Sequence, residues 1–368
     1  MNLALTELRR RPSRFVTATT ILALIASLLM LLGGLLDGLL NGATSAVLAQ
    51  PGELIVYSSQ SEDSFARSRI DAATLETVRG VDGVDEVGGL GVVQLGARVP
   101  GRGERDLLDV VVFGYELPPE GVPEGPADGM VYADSTLEAD GLEKGMTIEL
   151  GQARTKVEVA GFIDRDLQYS GQGTLWASPS TWRAALNENR PGSVLPEGSF
   201  QSLVIDSGDA DAAAVAGRID DATDGAISTL TTTDAAESIG GVKEQRSTFN
   251  QIIGVTVLIA VVVVALFFVL LTIERTAMYG VLKAIGARSS TLVGGVVLQA
   301  VVVTLIASAI ATALGVALAL VIPPGSIPFT LGIGRVLSSV VLLLVAACLG
   351  SAFSMRRVLR IDPAESIG

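Results

Sequence analysis

Histidine is absent from the 368 residues, and cysteine occurs once. Without imidazole there is no His-ligated metal, no His general base and no Ser-His-Asp triad. One cysteine excludes an intrachain disulfide. Lysine occurs only at Lys144, Lys156, Lys243 and Lys283, and none follows a glycine. A GxxxxGK[ST] phosphate loop is therefore missing, so any ATP hydrolysis that serves this chain is done by another one. Charged residues make up 18%, against roughly 25% in soluble domains. The net charge of −13 and a pI near 4.6 argue against nucleic acid as a partner.

What is plentiful is apolar sequence, 49% of the chain, with a mean hydropathy of +0.51. Residues 15–36 and 252–273 each run 22 positions without a charge, 292–322 runs 31, and 336–353 runs 18. About 20 apolar residues cross a hydrocarbon core of ~30 Å. The expected fold class is an integral membrane α-helical protein with four transmembrane helices and a large α+β extracellular domain between helices 1 and 2. The spans are placed at 15–40, 248–273, 291–322 and 336–355, and the domain at 41–247. A basic helix (1–14), a cytosolic coupling helix (274–290), a short outer loop (323–335) and a tail (356–368) complete the layout. The first run follows Arg9, Arg10, Arg11 and Arg14. It exceeds the ~7–15 residues of a secretory h-region and is read as a retained span.

Basic residues set the orientation. Four arginines precede the first span, Arg275, Lys283 and Arg288 follow the second, and Arg356, Arg357 and Arg360 follow the fourth. These regions are expected in the cytosol with both termini, in a multi-pass protein of the plasma membrane. Residues 41–250 then lie outside; they hold 15 basic and 34 acidic residues, a net of −19. An acidic face of this kind is first of all a solvated one. Within it, strands are expected at 53–57, 110–115, 147–150, 156–163 and 202–206, and helices at 72–79, 181–187 and 211–220, separated by Gly- and Pro-containing turns.

The segment ERTAMYGVLKAIGA at 274–287 places Met278, Val281, Leu282 and Ile285 at i, i+3, i+4 and i+7, one face of a short helix. By pattern alone such a helix rests on lipid or docks into a partner's groove. The segment resembles the coupling segment of the FtsX-like, MacB-type permeases of ABC transporters (type VII exporters). The tail IDPAESI at 361–367, the opening LTELRRRP at 5–12 and the turn GLEKGM at 141–146 are also similar to that family. The resemblance covers essentially the whole chain. It implies a homodimer in the lipid membrane with two copies of a separate ABC ATPase. Met278, Val281, Leu282 and Ile285 then seat in a groove on that ATPase, and nucleotide-driven motion is passed to the outer domain.

Near the outer ends of helices 1 and 2 lie Met30, Asp37, Lys243, Glu244, Arg246, Phe249 and Asn250. Ionisable residues at span ends are either interfacial anchors or parts of a functional site. Arg335, after the prolines of the short loop, reads as an anchor. Taken as a site, the seven residues suit an amphipathic anion. The chain is similar to the haem-exporter permeases of Gram-positive bacteria, which implies haem as transported ligand, with its carboxylates toward Arg246 or Lys243. Lipid, peptide or antibiotic export, or control of a cell-wall hydrolase outside the cell, are the competing readings. No catalytic residue and no intrinsic cofactor or metal is expected.

Overall fold

The computed structural model describes residues 12–274, 281, 285, 289–322 and 327–359. The chain divides into two compact units, Leu39–Gln245 and the helical remainder. It begins on α1 (Pro12–Leu48), which continues past the apolar run that predicts it.

In the inserted unit, β1 (Leu54–Ser58) precedes α2 (Ala72–Arg79), whose Asp71 cap accepts a hydrogen bond from the Thr74 N–H at 2.8 Å. Then come β2 (Glu86–Arg98), β3 (Leu108–Tyr115), β4 (Met130–Asp134), α3 (Thr136–Ala139), β5 (Thr147–Leu150) and β6 (Thr155–Ile163). They are followed by β7 (Gln168–Tyr169), β8 (Gln172–Ala177), α4 (Pro179–Asn189), β9 (Ser202–Asp206), α5 (Ala212–Ala222), β10 (Ile227–Thr231) and α6 (Thr232–Glu237). The strand order is β10-β1-β9-β2-β3-β8-β4-β6-β5, with β7 on β8 and β5 returning to β2. Strands β2, β3, β8, β4, β6 and β5 thus close a ring. The length of β2 makes this possible: its start pairs with β9, its middle with β3 and its end, Ala97 and Arg98, with β5.

Both faces of β3 are covered, which is why it reads as one apolar run rather than an alternation. Val110 and Val112 join one core cluster, and Val111 and Phe113 the other. Trp182 of α4 is fully buried over Gly91 of β2 and Gly114 of β3, which pair across the strands. A Cβ on Gly91 would stand 2.0 Å from the indole, so the facing glycines form the slot that admits the ring.

Four helices are long and apolar enough to cross a membrane: α1, α7 (Val242–Ile273), α8 (Ser289–Val321) and α9 (Ile333–Leu359). All four contribute to the core of the helical unit. One cluster joins Phe15 and Leu22 of α1 to Phe268 of α7, Ala300 and Ala307 of α8 and Ala347 of α9. At Gly350 a Cβ would come within 2.7 Å of the Val261 carbonyl oxygen, so α9 and α7 touch backbone to backbone there. Ala307 and Ala311 are buried, whereas Ala319 on the same row is exposed.

Asp134 at the end of β4 is fully buried, and its Oδ1 accepts from the N–H of Thr136 at 2.7 Å. Burial outweighs this bond and the one from the Thr136 hydroxyl at 2.6 Å, and raises its carboxyl from 3.8 to about 6. A raised carboxyl binds its proton more tightly in the folded state. Between about pH 4 and 6 this residue therefore lowers stability as pH rises, and its effect levels off above that window. Asp134→Asn removes that slope. The variant's melting temperature is expected to gain on the parent's from pH 4 to pH 6.5 and then hold constant. A constant difference across the whole range would show that Asp134 does not titrate there.

Candidate functional site

The second half of α1 reads LGGLLDGLL, so Gly33, Gly34, Asp37 and Gly38 fall on one face. Three glycines strip that face of side chains, and residues 327–335 lie on it. The Thr330 N–H donates to the Gly34 carbonyl at 3.0 Å. A Cβ on Gly34 would meet the Phe329 ring at 2.5 Å, and one on Gly38 would meet the Pro328 carbonyl oxygen at 2.2 Å. Arg335, at the start of α9, runs along Gly33 and forks onto Asp37. Its Nε donates to Oδ2 at 2.8 Å and a terminal nitrogen donates to Oδ1. The two side chains keep 22% and 33% of their exposure, so the pair is half-screened. A planar fork on a carboxylate fixes orientation as well as charge. The strap from 327 to 335 is thereby tied to α1.

Asp37, taken from sequence as a ligand residue, is thus held by Arg335, taken as a lipid-interface anchor. Met30 is 1% exposed, in a cluster with Ala260 of α7, Ala311 of α8 and Leu343 of α9. Its sulfur lies 3.8 Å from the Thr312 hydroxyl. In this conformation Met30 faces helix packing, not an open pocket. On α7, Arg246 and Phe249 lie on the face that continues through Ile253, Val257 and Ala260 into the Met30 cluster. Asn250 is on the edge of that face and exposed; Lys243 is exposed one turn earlier. Glu244 is exposed and about 160° around the helix from Arg246. The face of α7 therefore groups Arg246, Phe249 and Asn250, and sets Glu244 apart.

Of the coupling residues, Met278 and Leu282 lie outside the described residues. Val281 and Ile285 are 50% and 78% exposed. The Ile285 N–H donates to the Val281 carbonyl at 3.1 Å, one α-helical turn. Among the described residues, no group of three His, Cys, Asp or Glu side chains is placed to hold a metal ion. Sequence reasoning missed Thr312 and the strap residues Phe329 and Thr330. The only signal for the strap was the glycine-rich face of α1 that it covers.

Residues 250–363 match the FtsX-like permease C-terminal family. Two hemin transport system permease proteins HrtB, from two Staphylococcus epidermidis strains, are 28% and 27% identical over 142 residues. Each of those matches covers 39% of this chain and 40% of the relative, so the chain spans less than half the length of these relatives in the matched stretch. An HrtB of Staphylococcus haemolyticus is 21% identical across 100% of this chain and 99% of its own. Among solved structures, the extracellular domain of the noncanonical ABC-type transporter YknZ from Gram-positive bacteria aligns with TM-score 0.32 and 14% identity, over 48% of this chain and 98% of that one. The periplasmic region of MacB from Actinobacillus actinomycetemcomitans aligns with TM-score 0.34 and 10% identity, over 51% and 92%.

Proposed function

We propose, for a chain that carries an FtsX-like permease C-terminal domain and four apolar helices in a cell membrane, that it is the permease subunit of an ABC efflux system and that its substrate is haem. The observation that carries this reading is the full-length likeness to a hemin transport permease, joined to the absence of a phosphate loop in the sequence. The inserted domain faces outside, both termini are cytosolic, and two copies of the chain work with two copies of a separate ATPase. The turn bearing Val281 and Ile285 is the contact that receives the ATPase's motion.

The substrate enters from the outer leaflet beside the first turns of α7. Arg246 pairs with a propionate, Phe249 packs on the macrocycle and Asn250 supplies a hydrogen bond. Lys243 extends the site one turn along the helix, and Glu244 lies off it. Met30 reaches the iron only when α1 separates from its neighbours, because packing now encloses its sulfur. Asp37 acts on the strap rather than on the substrate. Haem titrated into the purified chain in lipid nanodiscs tests this, with a saturable shift of the Soret band as the expected result.

A further inference from the structure

The inserted unit contains a pocket of about 120 Å³ among β2, β7 and the segments before α2 and after α4. Its apolar wall is Phe65, Val92 and Tyr169, with the Phe65 and Tyr169 rings edge to face at 6.0 Å. Its polar side chains are Arg69, Arg190, Gln201, Gln94 and Ser193, of which the first two are charged. Gln201 is 2% exposed, and its Oε1 accepts from the Val92 N–H at 2.5 Å, which presents the amide nitrogen as the remaining donor. Arg69 donates to the carbonyls of Ala66 and Ser68 at 3.1 and 2.6 Å, and Arg190 to that of Gln94 at 3.3 Å. These backbone bonds hold both guanidinium groups in place without neutralising them.

Residues 41–250 carry 34 acidic and 15 basic side chains, yet among the described residues fewer than half of the inserted unit's arginines pair with a carboxylate. Arg67, Arg79, Arg154 and Arg165 each have a glutamate. Among the described residues, neither Arg69 nor Arg190 has one. Burial, and then the neighbouring Arg190 charge, pull the Arg69 guanidinium below its usual range. Two guanidinium groups that line one cleft, with no carboxylate on either among the described residues, give it a positive lining that draws an anion.

We infer that this pocket binds the carboxylate end of a small or amphipathic organic acid. The guanidinium groups and the Gln201 amide take the oxygens, and Phe65 and Tyr169 take the adjoining carbons. The volume sets the size limit. A cavity of about 150 Å³ admits one benzene, so this pocket accepts a carboxylate with a two- or three-carbon arm and no large ring. The source is either a free short-chain acid or the acid arm of a larger molecule whose body stays outside. The inference stands apart from the permease's substrate and does not depend on it.

The test is a titration of the full chain in nanodiscs, followed by saturation-transfer NMR with empty nanodiscs as baseline. The probes are propionate, 3-phenylpropionate, neutral 3-phenylpropanol and inorganic phosphate. Both acids are expected to bind saturably, the alcohol not at all and phosphate more weakly. Arg69→Gln and Arg190→Gln are each expected to weaken the acids about tenfold or more. Arg190 is exposed, so its variant keeps the fold, which near-ultraviolet circular dichroism verifies. Tighter binding of 3-phenylpropionate identifies the arm of a larger molecule, and tighter propionate a free acid. Absence of saturable acid binding, equal affinity in Arg190→Gln, or phosphate binding as tight as propionate would each overturn the inference.

Discussion

Replacing Leu282 and Ile285 with Asp is expected to abolish association with the ATPase. Ile285 presents 78% of its surface on a hydrogen-bonded helical turn with Val281 half exposed beside it. Burying an Ile or Leu side chain at a partner's groove stabilises the contact by about 1.5–3 kcal/mol each. Two carboxylates forfeit that and add a desolvation cost. A loss of about 4 kcal/mol already weakens binding about a thousandfold. The check is co-purification of the ATPase with the permease, alongside the permease's own melting temperature. Co-purification should vanish while the melting temperature stays unchanged, the expectation that the exposure of Ile285 supports. Undiminished co-purification would mean that this turn does not carry the contact.

Gly38→Leu is expected to release the strap from α1. The new Cβ would lie 2.2 Å from the Pro328 carbonyl oxygen and 2.8 Å from the Phe329 nitrogen. Those are backbone atoms, so no rotamer change removes the clash, and a loss of roughly 3 kcal/mol or more follows. Releasing the strap also parts Arg335 from Asp37. Breaking that pair alone, with Arg335→Ala or Asp37→Ala, costs less. Full burial would set about 3–5 kcal/mol, and the 22% and 33% residual exposure brings it toward 1–2. Thermal unfolding in nanodiscs reads both effects. In a double-mutant cycle, Arg335→Ala should add little once Gly38→Leu is present. Full additivity would show that the strap and the ion pair are independent.

Composition exposed the four membrane helices, because twenty charge-free residues have few other uses in a folded chain. Local rules also placed much of the inserted unit. The Asp71 cap and Gly80 bracket α2, and the β5–β6 pair follows from two short alternating runs around a turn. Strand β2 was missed. Its sequence EVGGLGVVQLGAR carries four glycines and reads as loop, yet two of them are there to receive Phe200 and Trp182. The glycine marks a distant aromatic ring, and no local rule can see that ring. β4, β8 and β10 escaped because short strands take their identity from partners far along the chain.

The site shows the same division. Asp37 and Arg335 stand out as charges at span ends, but their pairing spans 298 positions and exists only in the folded bundle. Met30 stands out as a soft ligand by type, and only packing reveals that its sulfur is enclosed. Glu244 and Arg246 look adjacent in sequence, and helical geometry turns them to different faces. Arg69 and Arg190 gave no signal, since a lone arginine in an acidic domain looks like every other.

The most direct test of the account is the haem titration of the purified chain in nanodiscs, followed at the Soret band, with the parent compared to Arg246→Ala. The account predicts a saturable shift at about one haem per dimer, weakened about tenfold or more when the propionate partner is removed, and left intact in Glu244→Ala, which lies off that face. A Soret band that never saturates, or the same affinity in Arg246→Ala, would contradict it.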